Sequence, residues 1–401
     1  MPVPTFPKVI LKPKRALPFF SRHPWVFSGA IKRIEGSPEP GDVVDLAASD
    51  GAFIAKGLYN PHSNIKVRLY AWDEAAEFDE AFWSRRLDSA LALRRQLFPN
   101  ADRETAYRAV YSEADGLSGL IVDRYGEYLL VQFTSLAMWL RRDLLIGLLE
   151  EKCQPKGIWL RTEKGIRESE NLEQADGLLT GDEPPRPLII REHGIEFGVD
   201  VVTGQKTGTF LDQRENRAAA ARYLAGHRVL DLFCYTGGFG ITAIELGGAA
   251  SVLAADVSES ALETARANAE RNGVIAKMQF EKSEAYDLLE KLAGQGERFD
   301  SVILDPPKMT RHRAGVTKAL RGYHSLNRLA VELLSPGGIL VTCSCSGLVG
   351  RDEFTQMLAD VSLRSDRAIQ FLEFRGQAAD HPVSANCPET NYLKCVICRV
   401  V

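Results

Sequence analysis

From about residue 227 the sequence alternates short apolar runs with longer amphipathic segments, and that rhythm leaves few folds open. "RVLDLFC", "SVLAADVS", "MQFEKS", "FDSVILD" and "GILVTCS" read as buried strands. "FGITAIELG", "SESALETARANAERNG", "EAYDLLEKLA", residues 316–334 and "DEFTQMLADVSL" read as the helices between and after them. Two further strands, 368–374 and 393–401, close the chain. Strands joined through helices pair in parallel, with helices on both faces of the sheet. The predicted fold class is therefore α/β, with a seven-stranded mostly parallel sheet. Ligands of such sheets bind beyond the carboxyl ends of the strands. The residues that follow each strand are thus the ones to examine for chemistry.

The first 226 residues have a different texture. Residues 1–75 read as short strands and turns, with a turn at Ser49-Asp50-Gly51 and an alternating strand from Ile65 to Leu69, as in a small β-barrel. Residues 78–98 repeat apolar side chains at helical spacing. A strand–turn–strand–turn–strand run, a helix near 135–151 and a strand near 157–161 complete a middle α/β domain over 76–185. It ends in the linker-like "GDEPPRP", and the third domain is expected over 186–401. No apolar run reaches the ~18 residues of a membrane span. No signal-peptide core opens the chain, so the expected location is the cytoplasm. The seven cysteines are odd in number and unevenly spread, unlike a disulfide framework. The sequence leaves the oligomeric state open, a homodimer included.

Net charge is −4, yet the cations are concentrated. Residues 1–34 hold Lys14, Arg15, Arg22 and Lys32 among seven cations and no acid; residues 306–331 hold Lys308, Arg311 and Arg313 among six, again without an acid. Two such segments can make a phosphate-binding track on a mildly acidic protein.

"VLDLFCYTGGFG" places Asp231 in the strand and Gly237, Gly238 and Gly240 just beyond it. The glycines free a helix N-terminus for close approach by a ligand. The G-x-G-x-x-G of dinucleotide sites is absent. The next strand ends at Asp256, suited to ribose hydroxyls, and the third ends at Ser283-Glu284, suited to an adenine amino group. A glycine loop without a pyrophosphate fingerprint, preceded by an aspartate, favours S-adenosylmethionine as cofactor. The expected contacts are Asp231, Phe233, Tyr235, Thr236 and Gly237 on the loop, Asp256 and Val257, Glu284, and Asp305.

The fourth strand runs into "DPPK", Asp305 to Lys308. Two prolines give a rigid edge against which a base can lie while Asp305 bonds to the base edge. Enzymes that methylate exocyclic amines usually place an aromatic residue after the prolines, where Lys308 stands here. The fifth strand ends at "TCSCSG", with Cys343 and Cys345. C5 of cytosine does not attack a methyl sulfonium unaided; a thiolate adding at C6 makes C5 nucleophilic. Residues two apart on a strand share a face, so alternation does not choose between the thiols. Cys345 lies further out, beside Ser346-Gly347, and is the expected nucleophile. No zinc site is expected, because Cys395 and Cys398 would point to opposite faces of their strand.

"HPWVFSGAI", "GLYNPHSNIKVRL", "EADGLSGLIVDRY", "TGQKTGTFLDQRENR", "LDLFCYTGGFG", "DPPK", "TCSCSG" and "QAADHP…PETNYLK" occur in one order over nearly the whole chain. In that set the sequence resembles the ribosomal RNA large-subunit methyltransferase I family, which are cytosine-C5 methyltransferases. The resemblance implies a PUA-type RNA-binding barrel, a middle domain and a Rossmann-like class I methyltransferase domain. It also implies S-adenosylmethionine as donor, large-subunit ribosomal RNA as partner, and Cys345 as nucleophile; Asp305, read from the strand end, is the second expected catalytic residue. Lys206, Phe210 and Gln213 would help close the cofactor pocket. Where the family more often carries an aspartate, this sequence has Ser283-Glu284, and Glu284 stands in for it. Two rivals remain: methylation of another base or amine with structural cysteines, and a non-catalytic RNA-binding protein.

If the basic segments contact phosphates, RNA affinity measured by filter binding falls with salt at a slope of ~0.7 per contact on single strands. Charge reversal at Arg22 and Lys32 is expected to weaken RNA binding and leave cofactor affinity unchanged. A flat salt dependence would remove both segments from the RNA surface.

Overall fold

The computed structural model describes residues 6–162, 165–202 and 208–401. They form two compact units. The first comprises the described residues of Met1–Leu188, Asp200–Gly208 and Ala379–Thr390; the second comprises Ile189–Val199, Thr209–Ala378 and Asn391–Val401. Among the described residues no helix is long and apolar enough to cross a membrane.

In the first unit, strands between Lys8 and Ala71 form a six-stranded sheet, a strand-rich half-barrel around Val9, Val26, Val44, Leu46 and Val67. A five-stranded sheet follows, from Ala106–Tyr111 to Gly177–Gly181. Helix Glu80–Leu97 packs on it, and Trp83 and Leu87 are buried with Val122, Leu129 and Val131. The Asp79 carboxylate starts that helix by accepting the Phe82 amide hydrogen at 2.8 Å. The single helix expected near 135–151 is two, Leu136–Trp139 and Arg142–Cys153. At the break Arg141 turns inward and donates to the Gly41 carbonyl, 3.2 Å away.

A buried guanidinium joins the two sheets. Arg68, on strand Ile65–Ala71, meets Glu113 at 3.2 Å and Glu170 at 3.1 Å. Asn60 and Ser63 add hydrogen bonds to Glu170, and Trp25 and Ser118 donate to Glu113.

The second unit carries the seven-stranded sheet. We label its strands β1 (Arg228–Leu232), β2 (Ser251–Asp256), β3 (Met278–Lys282), β4 (Phe299–Leu304), β5 (Leu334–Ser344), β6 (Ile369–Arg375) and β7 (Lys394–Val400). Its helices are α1 (Gly238–Glu245), α2 (Glu259–Arg271), α3 (Ala285–Gly294), α4 (Val316–Leu333) and α5 (Arg351–Ser365). The strand order is β3-β2-β1-β4-β5-β7-β6. β1 to β5 are parallel, and β7 runs antiparallel to both β5 and β6. Leu230 of β1 lies level with Leu253 of β2 and Val302 of β4, and Val302 with Leu340 of β5. These central side chains pack under Tyr323, Leu326 and Phe354. Ser258 caps α2 as expected, and Gly273, at φ +70°, follows its end. A hairpin of strands Leu188–Glu192 and Ile195–Val199 docks on α2: Asn268 accepts from Gly198 N at 2.7 Å and Asn272 from Glu196 N at 3.0 Å.

Two boundaries differ from expectation. β5 starts at Leu334 rather than at the glycines, because Leu334 pairs with Phe299 across a bulge. It also stops at Ser344, so Cys345 lies outside the strand. Residues Ala379–Thr390 return to the first unit, where Asp380 takes hydrogen bonds from Arg94 and Arg108.

Removing one member of a buried ion pair typically costs ~3–5 kcal/mol. Arg68→Met is therefore expected to destabilise the first unit by about that much, measured by hydrogen exchange on strand Ile65–Ala71. Adding Glu170→Gln should recover part of the loss, because it removes one stranded charge.

Candidate active site

The carboxyl ends of β1, β2 and β4 bring three aspartates to one edge of the sheet. Asp231, 1% exposed, accepts the Gly240 amide hydrogen at 2.9 Å. Gly240 has no room for a side chain: a Cβ would stand 3.1 Å from the Asp231 carboxylate and 3.0 Å from Val252. Phe233, Tyr235 and Gly237 all have positive φ, so the loop between β1 and α1 is tightly wound. Asp256 holds this loop. One of its oxygens accepts from Tyr235 N at 3.0 Å, the other from Ser258 N at 2.9 Å. The predicted ribose ligand thus also organises the two backbone segments beside it. The Thr236 carbonyl accepts from Asn268 at 3.2 Å. Val257 is exposed, and Glu284 is exposed at the N-terminus of α3.

The charge at this edge is unbalanced. Burial pushes the Asp231 carboxyl from its ordinary 3.8 up to about 8. Asp305 and Asp256 push in the same direction, and the Gly240 amide and Arg217 oppose them. A cluster of carboxylates that repel one another is a cradle for a cation. S-adenosylmethionine, with an ammonium and a sulfonium, fits that donor set.

The "FLDQREN" stretch packs over the loop. The Phe210 ring stands edge-on to Tyr235, with centroids 5.3 Å apart. Gln213 is buried and accepts from Asn216 at 2.6 Å, and the Tyr392 hydroxyl donates to Asp212. Lys206 lies outside the described residues. Sequence reasoning passed over Arg217. Its buried guanidinium binds the Phe210 carbonyl and Glu192, and a Cβ at Gly238 would stand 3.1 Å from the Arg217 Cδ. An arginine in an amphipathic segment reads as solvated, and only the packed loop shows otherwise.

At the next strand ends, Cys345 and the "DPPK" loop come together. The Cys345 thiol is half-buried and 3.8 Å from the Pro306 carbonyl. Cys343 is fully buried in the β5–β7 ladder opposite Cys395. The strand ends between the two thiols, and they differ in burial. A hydrogen bond with Cys395 and then burial push the Cys343 thiol well up. Ser346 pins the loops together: its hydroxyl accepts from Met309 N at 3.1 Å and meets the Tyr323 hydroxyl at 3.0 Å. Lys394, another residue not anticipated, donates to the Ser346 carbonyl at 2.7 Å.

Lys14, Arg15, Arg22 and Lys32 are exposed in the first unit, and Lys308, Arg311 and Arg313 in the second. Among the described residues one metal-capable trio converges, His23, Cys387 and Glu389, with ligand atoms within 4.8 Å. The Trp25 amide donates to His23 Nδ1 at 3.3 Å, which leaves the proton on Nε2, facing Glu389. The trio is thus a hydrogen-bonded set.

Residues 170–394 match the family model for S-adenosylmethionine-dependent methyltransferases, and residues 9–72 match a PUA-like domain. The chain is 42% identical over 396 residues to the ribosomal RNA large subunit methyltransferase I of Erwinia tasmaniensis, covering 98% of this chain and 99% of that protein. It is 41% identical to the corresponding protein of Klebsiella pneumoniae, covering 99% of each. The fold is similar to that of a crystal structure assigned as a methyltransferase complexed with SAH, with a TM-score of 0.85, 21% identity, and 98% of this chain and 99% of that one covered.

Because the Asp231 pKa is raised, its contribution to stability is full below 3.8 and is lost as pH rises through about 8. A bound cation favours the carboxylate and reverses that preference. S-adenosylmethionine binding at pH 6–7 is therefore expected to release protons, and affinity should rise with pH and level off above about 8. Calorimetry in buffers of different ionisation enthalpy measures both effects. Asp231→Asn should flatten the pH dependence, and an unchanged dependence would remove Asp231 from the binding linkage.

Proposed function

The chain belongs to the ribosomal RNA large subunit methyltransferase I family of S-adenosylmethionine-dependent enzymes, and on that premise we propose that it methylates C5 of a cytidine in large-subunit ribosomal RNA through a covalent bond from Cys345. The observation that carries this reading is the contrast between the two thiols. Cys345 leaves the strand, is half-buried and faces the "DPPK" loop, whereas Cys343 is sealed in the ladder.

The roles follow from chemistry. Asp305, at the end of β4, would accept a hydrogen bond from the base edge, against the rigid Pro306-Pro307 wall. The Cys345 thiolate would form a bond to C6, and the displaced π electrons make C5 a nucleophile. S-adenosylmethionine supplies the methyl group as an electrophilic carbon on a sulfonium. Loss of the C5 proton to a base and departure of the thiolate from C6 then restore the aromatic ring. Asp231, the loop from Phe233 to Gly237, Asp256, Val257, Glu284, Phe210 and Gln213 would hold the donor, with Asp305 at its methyl end. Lys14, Arg15, Arg22, Lys32, Lys308, Arg311 and Arg313 would take RNA phosphates. The PUA-like half-barrel supports that assignment, since exposed cations there flank the exposed Leu17 and Phe20. A ribosomal RNA substrate would place the reaction in the cytoplasm. The exposed Lys308 after the prolines leaves no aromatic platform there, which weighs against an exocyclic amine as target.

Cys345→Ala is expected to abolish methyl transfer and keep S-adenosylmethionine binding. Cys343→Ala should keep most activity and cost about 1–2 kcal/mol of stability through the cavity it leaves. RNA carrying 5-fluorocytidine should trap an adduct that survives denaturation and is lost in the Cys345 variant. Bisulfite sequencing of ribosomal RNA with and without the protein locates the cytidine. Methylation that persists in Cys345→Ala and is lost in Cys343→Ala would reverse the assignment, and methylation that persists in both would rule out the covalent route.

A further inference from the structure

Lys394 is a cation where the strand pattern demands core. It sits in β7, paired with Ser344 of β5, and is only 7% exposed. A buried charge is costly unless its donors are satisfied. Here the ammonium donates to two backbone carbonyls, that of Ser346 at 2.7 Å and that of Tyr392 at 2.8 Å. Among the described residues it forms no ion pair with a carboxylate, so its positive charge is not cancelled at contact. The first of those carbonyls belongs to the residue after Cys345, and Ser346 is also tied to Met309 and Tyr323.

We propose that Lys394 is the positioning residue of the cysteine loop: its buried ammonium holds the Ser346 carbonyl, and the same charge favours the thiolate of Cys345. This rests on the reading of Cys345 as nucleophile and extends it to how the nucleophile is placed and activated. A free cysteine ionises near ~8.5, too high for a nucleophile at neutral pH, and a neighbouring cation lowers that value. The charged and titratable groups that face the ammonium are Cys345 and Lys308 from the two loops and Glu353 from α5. Burial and Lys308 together bring the lysine down to about 8, against Cys345 and Glu353. It is therefore charged at neutral pH and loses its proton as pH rises through about 8. The influence is mutual: the thiolate holds the lysine proton on, and the ammonium lets the thiol proton go to solvent.

The test reads the thiol itself, without RNA. Full-length protein is alkylated with iodoacetamide across a pH series, and modification at Cys345 is quantified by peptide mass spectrometry. In Lys394→Met the alkylation midpoint should move to higher pH, with the rate at neutral pH slower by about tenfold or more. Lys394→Gln, which keeps an N–H donor but no charge, is the second variant and should show the same shift. Lys394→Arg, which keeps the charge, should restore reactivity at neutral pH. S-adenosylmethionine affinity, measured by calorimetry, should be unchanged in each, which confirms folding of the cofactor edge. A midpoint identical to the unsubstituted protein in both neutral variants overturns the proposal. Methylation that persists in Cys345→Ala would instead overturn the nucleophile reading and leave the alkylation result standing, so the two failures are distinct.

Discussion

The hydrogen bond from the Gly240 amide to the Asp231 carboxylate is the contact around which the sheet edge is arranged. It closes the turn from β1 into α1, and it does so only because residue 240 lacks a Cβ. The parallel register then delivers Asp256 and Asp305 to the same edge. Three carboxylates in a partly desolvated cleft repel one another, and the most buried of them holds its proton. Such an edge is unstable as a set of anions and becomes favourable when a cation enters. The cofactor of the family is such a cation, so its binding offsets the electrostatic cost of gathering these carboxylates.

The same edge continues at the carboxyl ends of β4 and β5. Here rigidity comes from a serine: Ser346 accepts from one loop, meets a tyrosine of α4 and offers its carbonyl to a lysine of β7. Three elements far apart in sequence thereby hold one thiol beside one proline wall. The two prolines of "DPPK" supply few donors of their own, which is why an external donor network is needed to fix the loop. The two parts of the edge thus differ in character: carboxylates gather at β1, β2 and β4, and a hydrogen-bonded frame with one buried cation surrounds Cys345.

Much of this was legible in local pattern. The strand–helix alternation, the Ser258 cap and Gly273 stop of α2, and the placing of "DPPK" and "TCSCSG" at strand ends follow from side-chain periodicity and capping, which act over a few residues. What stayed hidden depends on distant partners. Arg217 sits in a segment whose pattern reads as a solvated face and Lys394 is a cation in a core strand, yet both are buried, because distant residues bring acceptors to them, Glu192 to the one and the Ser346 carbonyl to the other. The break between the helices at Arg141 and the return of Ala379–Thr390 to the first unit have the same origin, in contacts with Gly41 and with Arg94 and Arg108.

The sequence by itself determined the class of sheet, the identity of the strand-end motifs and, through the order of those motifs, the family. Those properties are carried by residue type and spacing along the chain. Only the tertiary structure decided which cysteine is sealed and which is accessible. Two residues apart, Cys343 and Cys345 are equivalent by alternation, and they become different because β7 pairs with β5 only as far as Ser344. Beyond that point the backbone is turned by the Ser346 frame, so one thiol is sealed against Cys395 and the other stands beside Pro306. That choice is made by cross-strand hydrogen bonds and packing, which no window of sequence contains.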